Sequence, residues 1–172
     1  MREQGERRWG EVVDYEQMLV LLEADGTSFV VHRHAPLRSV AEAFAAGLPI
    51  EKAAKTLAVM AGGDLVLVVI PAVTSLDLVA LGAVLGAPDV RLCSRAELAQ
   101  LDGELGALCP FPVGGAAVVV DHEVARSRRV LCGSGRRDRS LALSGSDLVR
   151  LSGASVQRIA TPRPHRRAGE AL

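Results

Sequence analysis

The segment Asp64-Leu-Val-Leu-Val-Val-Ile-Pro71 holds six consecutive apolar residues between the pair Gly62-Gly63 and a proline. An apolar run of this length, bounded by turn-forming residues, is typical of a strand buried on both faces. The two glycines favour a tight hairpin turn leading into it. No GxxxxGK[ST] pattern accompanies them, so a phosphate loop is not indicated.

Lys55 lies just ahead of this hairpin, in the run Ala53-Ala-Lys-Thr-Leu-Ala-Val59. It is one of only two lysines in a chain that otherwise uses arginine for positive charge. An ammonium beside a dry core strand is costly unless something compensates it. Its position therefore predicts a site that handles an anion or a polar group of a substrate.

The composition predicts a single domain with an aliphatic core. The chain has 172 residues, of which 49% are hydrophobic and only 3% aromatic, so Val, Leu, Ala and Ile must build the core. The scarcity of aromatic residues argues against binding single-stranded nucleic acid by base stacking. Residues 1–120 carry a net charge of −6 and residues 121–172 one of +6. The basic part favours either a solvated surface with a basic tail or a surface that faces phosphates.

The three cysteines, Cys93, Cys109 and Cys132, are widely spaced and include no CxxC pair. This favours free thiols in a reducing compartment over a zinc ribbon or a disulfide framework. The polar N-terminus lacks the apolar core of a signal peptide, and the best apolar run breaks at Pro71. We therefore expect a soluble, cytoplasmic protein that does not interact with a membrane.

Strand and helix signals interleave along the chain, but the late strands lie close together. The pattern predicts the α+β type of α/β fold, with a mixed, largely antiparallel sheet and surrounding helices, rather than a doubly wound parallel sheet. Predicted strands are 28–33, one following Lys55, 64–71, 90–93, 116–121, 129–132 and 140–143. Predicted helices are 15–22, 40–46, a short one from Pro49 to Ala54, 75–86, one from the capping box Ser94-Arg-Ala-Glu97 to Asp102-Gly103, and 146–151.

Two loops are candidates for binding. In Gly106-Ala-Leu-Cys-Pro-Phe-Pro112, the glycine permits close approach and the prolines stiffen the chain, so backbone groups point in fixed directions. The alternative is a stiff connector. In Gly133-Ser-Gly-Arg-Arg137, glycines and arginines favour an anion-binding concavity, and the alternative is a solvated hairpin turn.

Histidine and cysteine chemistry gives weaker signals. His32 and His34 are predicted on one face of the first strand, but two imidazoles need further ligands, so we predict no metal site and no cofactor. Cys109 could act as a nucleophile with a histidine base. The sequence offers it no fixed partner, which favours a thiol that lines a pocket.

The motifs Ser28-Phe-Val-Val-His-Arg-His-Ala-Pro36, Val40-Ala-Glu-Ala43, Ala54-Lys-Thr-Leu57, Gly106-Ala-Leu-Cys-Pro-Phe111 and 133–143 resemble, in order, those of the YbaK/ProX family. That family comprises aminoacyl-tRNA deacylases related to the editing domain of bacterial prolyl-tRNA synthetases. The resemblance runs from about Ser28 to about Ile159. We accordingly predict a flexible extension at 1–13, an editing domain at 14–160 and a disordered basic tail at 161–172.

The resemblance implies a trans-editing hydrolase that protects translation fidelity by deacylating mischarged tRNA, with alanine or cysteine on tRNA for proline as the expected substrates. Lys55 matches the essential lysine, and Gly106 to Pro110 matches the GxxxP loop whose backbone holds substrate and water. The hydroxyl of the terminal ribose takes part in the family's chemistry. The implied substrate-binding residues are His32, Thr56, Leu108, Cys109, Pro110, Phe111 and Ser140.

Charge alone adds Arg136 and Arg137 as contacts for the tRNA acceptor end. An aminoacyl-tRNA synthetase is kept as a second candidate partner. Ser140 replaces an acidic residue of some relatives, and Cys109 lies where Ser, Thr or Val is common, so amino-acid specificity stays open. Two other functions also stay open: a non-catalytic module that binds tRNA or a synthetase, and a Cys109-dependent hydrolase of another small ester.

Overall fold

The computed structural model describes residues 11–101, 103–113 and 115–163. The strands are β1 (Glu11–Val12), β2 (Val30–Arg33), β3 (Ala54–Ala61), β4 (Asp64–Pro71), β5 (Thr74–Leu76), β6 (Val90–Leu92), β7 (Pro112–Val113), β8 (Ala117–Asp121), β9 (Val130–Gly133), β10 (Arg139–Leu143), β11 (Ser155–Gln157) and β12 (Ala160–Pro162). The helices are α1 (Tyr15–Asp25), α2 (Val40–Ala45), a 3₁₀ turn (Ile50–Lys52), α3 (Leu78–Leu85), α4 (Arg95–Leu98), α5 (His122–Ala125) and α6 (Gly145–Ser152).

The central sheet has the strand order β11-β8-β4-β3-β6. Strands β3 and β4 form the expected antiparallel hairpin, with Ala61 opposite Asp64 across a turn in which Gly62 and Gly63 have φ of +60° and +95°. Strand β4 pairs in parallel with β8, and β8 in parallel with β11. The predicted mixed sheet with surrounding helices is confirmed.

A second, antiparallel sheet has the order β2-β10-β9 and stands beside the first half of β3. A parallel bridge between Ala53 and Leu131 joins the two sheets. Strand β6 covers only Val59–Ala61 of β3. The part of β3 that contains Lys55 is therefore an edge that faces the second sheet.

The core is aliphatic, as the composition predicts. Alternate residues of β3 and β4 point into two separate apolar clusters, one on each face of the central sheet. The largest fully buried side chains include Phe111, Met18, Leu22, Leu67 and Ile70.

Three predicted element boundaries are wrong. Residues 74–76 form strand β5 instead of opening a helix at Ser75, because they pair with β12, and α3 begins after Asp77, whose side chain accepts the N–H of Ala80 at 2.9 Å. The short helix predicted from Pro49 to Ala54 is only the 3₁₀ turn, since Ala54 already belongs to β3. The Ser94 capping box is confirmed, but α4 ends at Leu98, before the predicted Asp102-Gly103.

Two short strands lie outside the predicted limits of the editing domain, one at each end. Val12 and Val13 are buried, and β1 pairs with β7 inside the predicted flexible extension. Thr161 and Pro162, predicted to begin a disordered tail, belong to β12. Residues 1–10 and 164–172 lie outside the described part of the chain. Within the described part, none of the helices combines the length and apolarity that crossing a bilayer requires.

Candidate active-site cleft

A cleft of about 280 Å³ opens where the free edge of β3 faces β9 and β10. This volume lies near the lower end of the range for small-molecule sites. The segment 37–50, which contains α2, forms its outer wall. Its inner wall includes Lys55, Thr56, Gly106, Ala107, Leu108, Gly133, Arg139 and Ser140. The two features singled out in the sequence, Lys55 and the Gly106 loop, therefore lie on one cleft.

Lys55 is the second residue of β3 and is half-buried on the cleft wall. Its Nζ donates a hydrogen bond of 2.6 Å to the backbone oxygen of Thr74. Burial lowers the pKa of Lys55, and the nearby charge of Arg163 lowers it further. No carboxylate belongs to the described residues that line the cleft, so this ammonium has a neutral partner and keeps its charge available for a ligand.

Thr56, the next residue of β3, also lines the cleft. Its Oγ1 is buried and has no hydrogen-bond partner among the described residues. A buried hydroxyl without a partner is costly, and a polar ligand in the cleft would satisfy it.

The Gly106 loop is held by backbone hydrogen bonds to the turn between β9 and β10. The N–H of Gly135 donates to the oxygen of Ala107 at 2.7 Å, and the N–H of Glu104 donates to the oxygen of Gly135 at 2.9 Å. Gly106 has φ of +86°, which a residue with a side chain rarely adopts. These contacts hold the backbone of 106–108 in one conformation at the cleft.

Gly133 brings this loop against β9. A Cβ on Gly133 would overlap the backbone oxygen of Leu108 and lie 2.8 Å from that of Ala107. Only glycine fits here, because both neighbouring atoms belong to the main chain. Leu108 and Gly133 both line the cleft, so this close approach shapes one of its walls.

The second half of the loop does not reach the cleft. Cys109, Pro110 and Phe111 are buried and are not among its lining residues, so their placement does not support the predicted contact with substrate. Cys109 is 0% exposed, and burial raises the pKa of its thiol to about 12. Such a thiol is a poor nucleophile, which argues against the Cys109-dependent hydrolase.

His34, rather than the predicted His32, lines the cleft together with Ser140. The Nε2 of His34 lies 2.8 Å from the Oγ of Ser140, and its Nδ1 lies 2.8 Å from the backbone oxygen of Ala35. The sequence placed both histidines on one face of a strand, and the resemblance named Ser140 as a substrate-binding residue, but neither predicted the contact of His34 with this serine 106 residues away.

The cleft is cationic. Arg136 and Arg137, predicted to contact tRNA, both line it. Arg136 pairs with Asp138 at 3.0 Å and Arg137 with Glu104 at 3.4 Å, and the guanidinium of Arg139 lies 4.7 Å from the centre of the Tyr15 ring. These contacts direct the arginines without placing a carboxylate on the cleft wall, so the site favours an anionic ligand.

Fold and cleft together define a small α+β domain with a cationic cleft at the edge of a mixed sheet. The chain belongs to the aminoacyl-tRNA editing domain family, whose model matches residues 34–151. The resemblance predicted from the motifs is thus confirmed.

Solved structures agree with this assignment. The chain is 28% identical to hypothetical protein APE2540, with a TM-score of 0.77, covering 84% of this chain and 99% of that one. It is 19% identical to a protein provisionally assigned as a trans-editing enzyme for prolyl tRNA synthetase, with a TM-score of 0.73, covering 86% of this chain and 96% of that one. No curated protein matches the chain.

Proposed function

We propose that this editing domain is a trans-acting hydrolase that cleaves the ester between a wrong amino acid and the 3′ end of tRNA. The observation that carries the proposal is the meeting of Lys55 with the backbone of Gly106–Leu108 on one cationic cleft. Lys55 and Gly106–Leu108 are distant in the sequence but line the same cleft. The positive charge of this cleft suits the phosphate of a terminal nucleotide.

Lys55 acts as a cation in this mechanism. Its ammonium contacts the terminal phosphate or the ester region, while the rigid backbone of Gly106–Leu108 holds the substrate and the attacking water. An aminoacyl ester is already activated, so positioning supplies much of the required acceleration. The unpaired hydroxyl of Thr56 offers a further polar contact to the bound group.

We infer that the amino acid removed is small, with alanine and cysteine on tRNA for proline as the first candidates. The cleft is limited in volume and its inner wall is made largely of backbone and short side chains. A pocket of this kind excludes larger side chains by size. The provisional assignment of the neighbouring structure to prolyl tRNA synthetase agrees with this choice.

The test is deacylation of a panel of purified aminoacyl-tRNAs, correctly and wrongly charged, with the uncatalysed loss of ester subtracted. We expect rapid clearance of Ala-tRNA or Cys-tRNA for proline and little action on the correctly charged prolyl form. Tight tRNA binding without turnover on any member would contradict the proposal and identify a binding module instead.

A further inference from the structure

Asp121 is the last residue of β8, is buried and does not line the cleft. Its carboxylate accepts three backbone N–H groups, from Glu123 to Oδ1 and from Ile159 and Ala160 to Oδ2, each at 3.0 Å. Burying a charged group is costly unless hydrogen bonds compensate it. The first contact caps α5. The other two join Asp121 to a segment that lies 38 and 39 residues further along the chain.

The segment that Asp121 holds is the start of β12. Ile159 is itself buried, and its backbone oxygen accepts the N–H of Asp77 at 2.8 Å. Strand β12 then pairs with β5, which places Pro162 opposite Thr74. These two strands form a small sheet of their own. A two-stranded sheet is only marginally stable by itself, so its position depends on anchors such as the Asp121 carboxylate.

The β5–β12 pair determines the surroundings of the Lys55 ammonium. The backbone oxygen of Thr74 in β5 accepts a hydrogen bond of 2.6 Å from Nζ. Arg163, which follows β12 directly, lies close enough to lower the pKa of Lys55. We propose that Asp121 is a positioning residue for the editing reaction: its carboxylate anchors β12 beside β5 and so holds the Thr74 oxygen that directs Lys55 at the cleft. This inference rests on the proposed function for its effect on turnover.

Asp121→Asn tests the anchor at nearly constant size. An amide has one acceptor oxygen, so it cannot serve both Glu123 and the N–H groups of β12 as the carboxylate does. The start of β12 should therefore loosen, and Thr74 should move with its partner strand. A displacement of about 1 Å can reduce a rate about 100-fold even when the mutation is far from the chemistry. Deacylation by the folded variant should accordingly fall by about 10- to 100-fold.

The titration of Lys55 reports its surroundings without any tRNA. The chain has only two lysines, so reductive methylation with isotope-labelled formaldehyde gives two lysine signals in NMR spectra, and Lys52→Arg assigns them by removing one. In Asp121→Asn the pKa of Lys55 should rise toward the ordinary 10.5, because burial and the charge of Arg163 both act less on it. Arg163→Ala should raise this pKa in the wild type and add much less in Asp121→Asn. The other basic residues of the cleft are the same in all these variants: His34, Arg38, Arg136, Arg137 and Arg139.

Asp147→Asn is the matched control. Asp147 lies in α6, where its carboxylate accepts the hydroxyl of Ser144 at 2.7 Å and a guanidinium N–H of Arg150 at 3.0 Å. These contacts lie within α6 and its N-cap, away from β5 and β12. Asp147→Asn should therefore lower the melting temperature but leave the titration of Lys55 and the turnover of the folded protein unchanged.

Ala160→Pro tests the same anchor from its other side and keeps the buried carboxylate. Ala160 is the first residue of β12, a position that tolerates proline, and its N–H donates to Asp121. The variant should shift the titration of Lys55 in the same direction as Asp121→Asn does. Thermal melting verifies that each variant is folded.

The outcomes separate this inference from the proposed function. Folded variants whose Lys55 titrates as in the wild type, or whose full turnover survives a shifted titration, overturn the positioning role of Asp121. Neither result bears on the editing function, which clearance of aminoacyl-tRNA by the wild type decides. A shifted titration in a protein that clears no aminoacyl-tRNA supports the anchor and contradicts the editing function.

Discussion

The Nζ of Lys55 donates a hydrogen bond of 2.6 Å to the backbone oxygen of Thr74, which lies 19 residues further along the chain. Thr74 lies in β5, where it pairs with Pro162 of β12. The ammonium at the cleft is therefore positioned by main chain rather than by a carboxylate. The hydrogen bond to a neutral carbonyl leaves the positive charge of Lys55 unneutralised and fixes the direction of its side chain.

The first prediction concerns the two lysines. Lys55→Ala should reduce deacylation at least about 100-fold, because it removes the cation that holds the substrate. Its free energy of unfolding should change by no more than about 1 kcal/mol, since a half-buried charge contributes little to folding. Lys52→Ala, three residues earlier and exposed, is the matched control and should stay within about twofold of wild type. Equal rates for both variants would contradict the role of Lys55.

The second prediction concerns the fit between Gly133 and the Gly106 loop. Gly133→Ala should destabilise the protein by about 1–3 kcal/mol and also lower the turnover of the folded fraction, because the loop must move away from the cleft. Gly145→Ala forces a similar overlap, with the backbone oxygen of Val124, away from the cleft. It should therefore lower stability alone. Chemical denaturation and turnover per folded molecule distinguish the two, and a fully active Gly133→Ala would show that the loop position is unimportant.

The third prediction concerns the alkaline side of the pH profile. Burial and the charge of Arg163 lower the pKa of Lys55, so the ammonium is lost as pH rises through a value below the ordinary 10.5. Turnover should decline over that same range. Arg163→Ala removes one cause and should move the decline to higher pH, whereas Arg158→Ala, also exposed, should not. A decline that both variants leave in place would exclude the influence of Arg163 on this lysine.

The fourth prediction concerns tRNA binding. Arg137→Ala should raise KM for aminoacyl-tRNA and reduce the slope of log affinity against log salt by about one, as the loss of one phosphate contact does. Arg128 is exposed and does not line the cleft, so Arg128→Ala serves as the charge-matched control with an unchanged slope. Filter binding at several salt concentrations gives both values. Identical slopes for Arg137→Ala and Arg128→Ala would show that Arg137 does not contact tRNA.

The fifth prediction concerns the thiols. Burial raises the pKa of Cys93 to about 11 and that of Cys109 to about 12, so both should react slowly with iodoacetamide at pH 8 and much faster after unfolding. Cys109→Ser should retain turnover in the folded protein but lose about 1–3 kcal/mol of stability, since the hydroxyl enters an apolar core. Cys93→Ser, at a partly exposed site, should change stability less. If Cys109→Ser folds but is inactive, the result would support the hypothesis of a Cys109-dependent hydrolase.

The elements predicted correctly from the sequence were those whose signals are local. The pair Gly62-Gly63 between apolar runs predicts the β3–β4 hairpin, and Ser94 with Glu97 predicts the start of α4. Strand β5 was missed because its partner β12 lies far along the chain. Ser75 was a plausible helix cap by local criteria, and only that distant pairing makes it a strand residue.

The candidate site, like the fold, could be predicted from the sequence only in part. The resemblance to a family, rather than spacing, predicted that Lys55 and the Gly106 loop share one cleft. The choice between His32 and His34 could not be made from the sequence, because alternation places both on one face of a strand. It depends on how the chain leaves β2 and on the approach of Ser140 from β10, which is a tertiary contact.

The pairing of β5 with β12 has a consequence for biosynthesis. A nascent polypeptide emerges from its N-terminal side, so Lys55 and Thr74 are made long before Ala160. Until residues 160–162 leave the ribosome, the strand that supports the ammonium has no β12 beside it. The strand pair that supports the Lys55 ammonium is thus completed only after all the residues that line the cleft have been made.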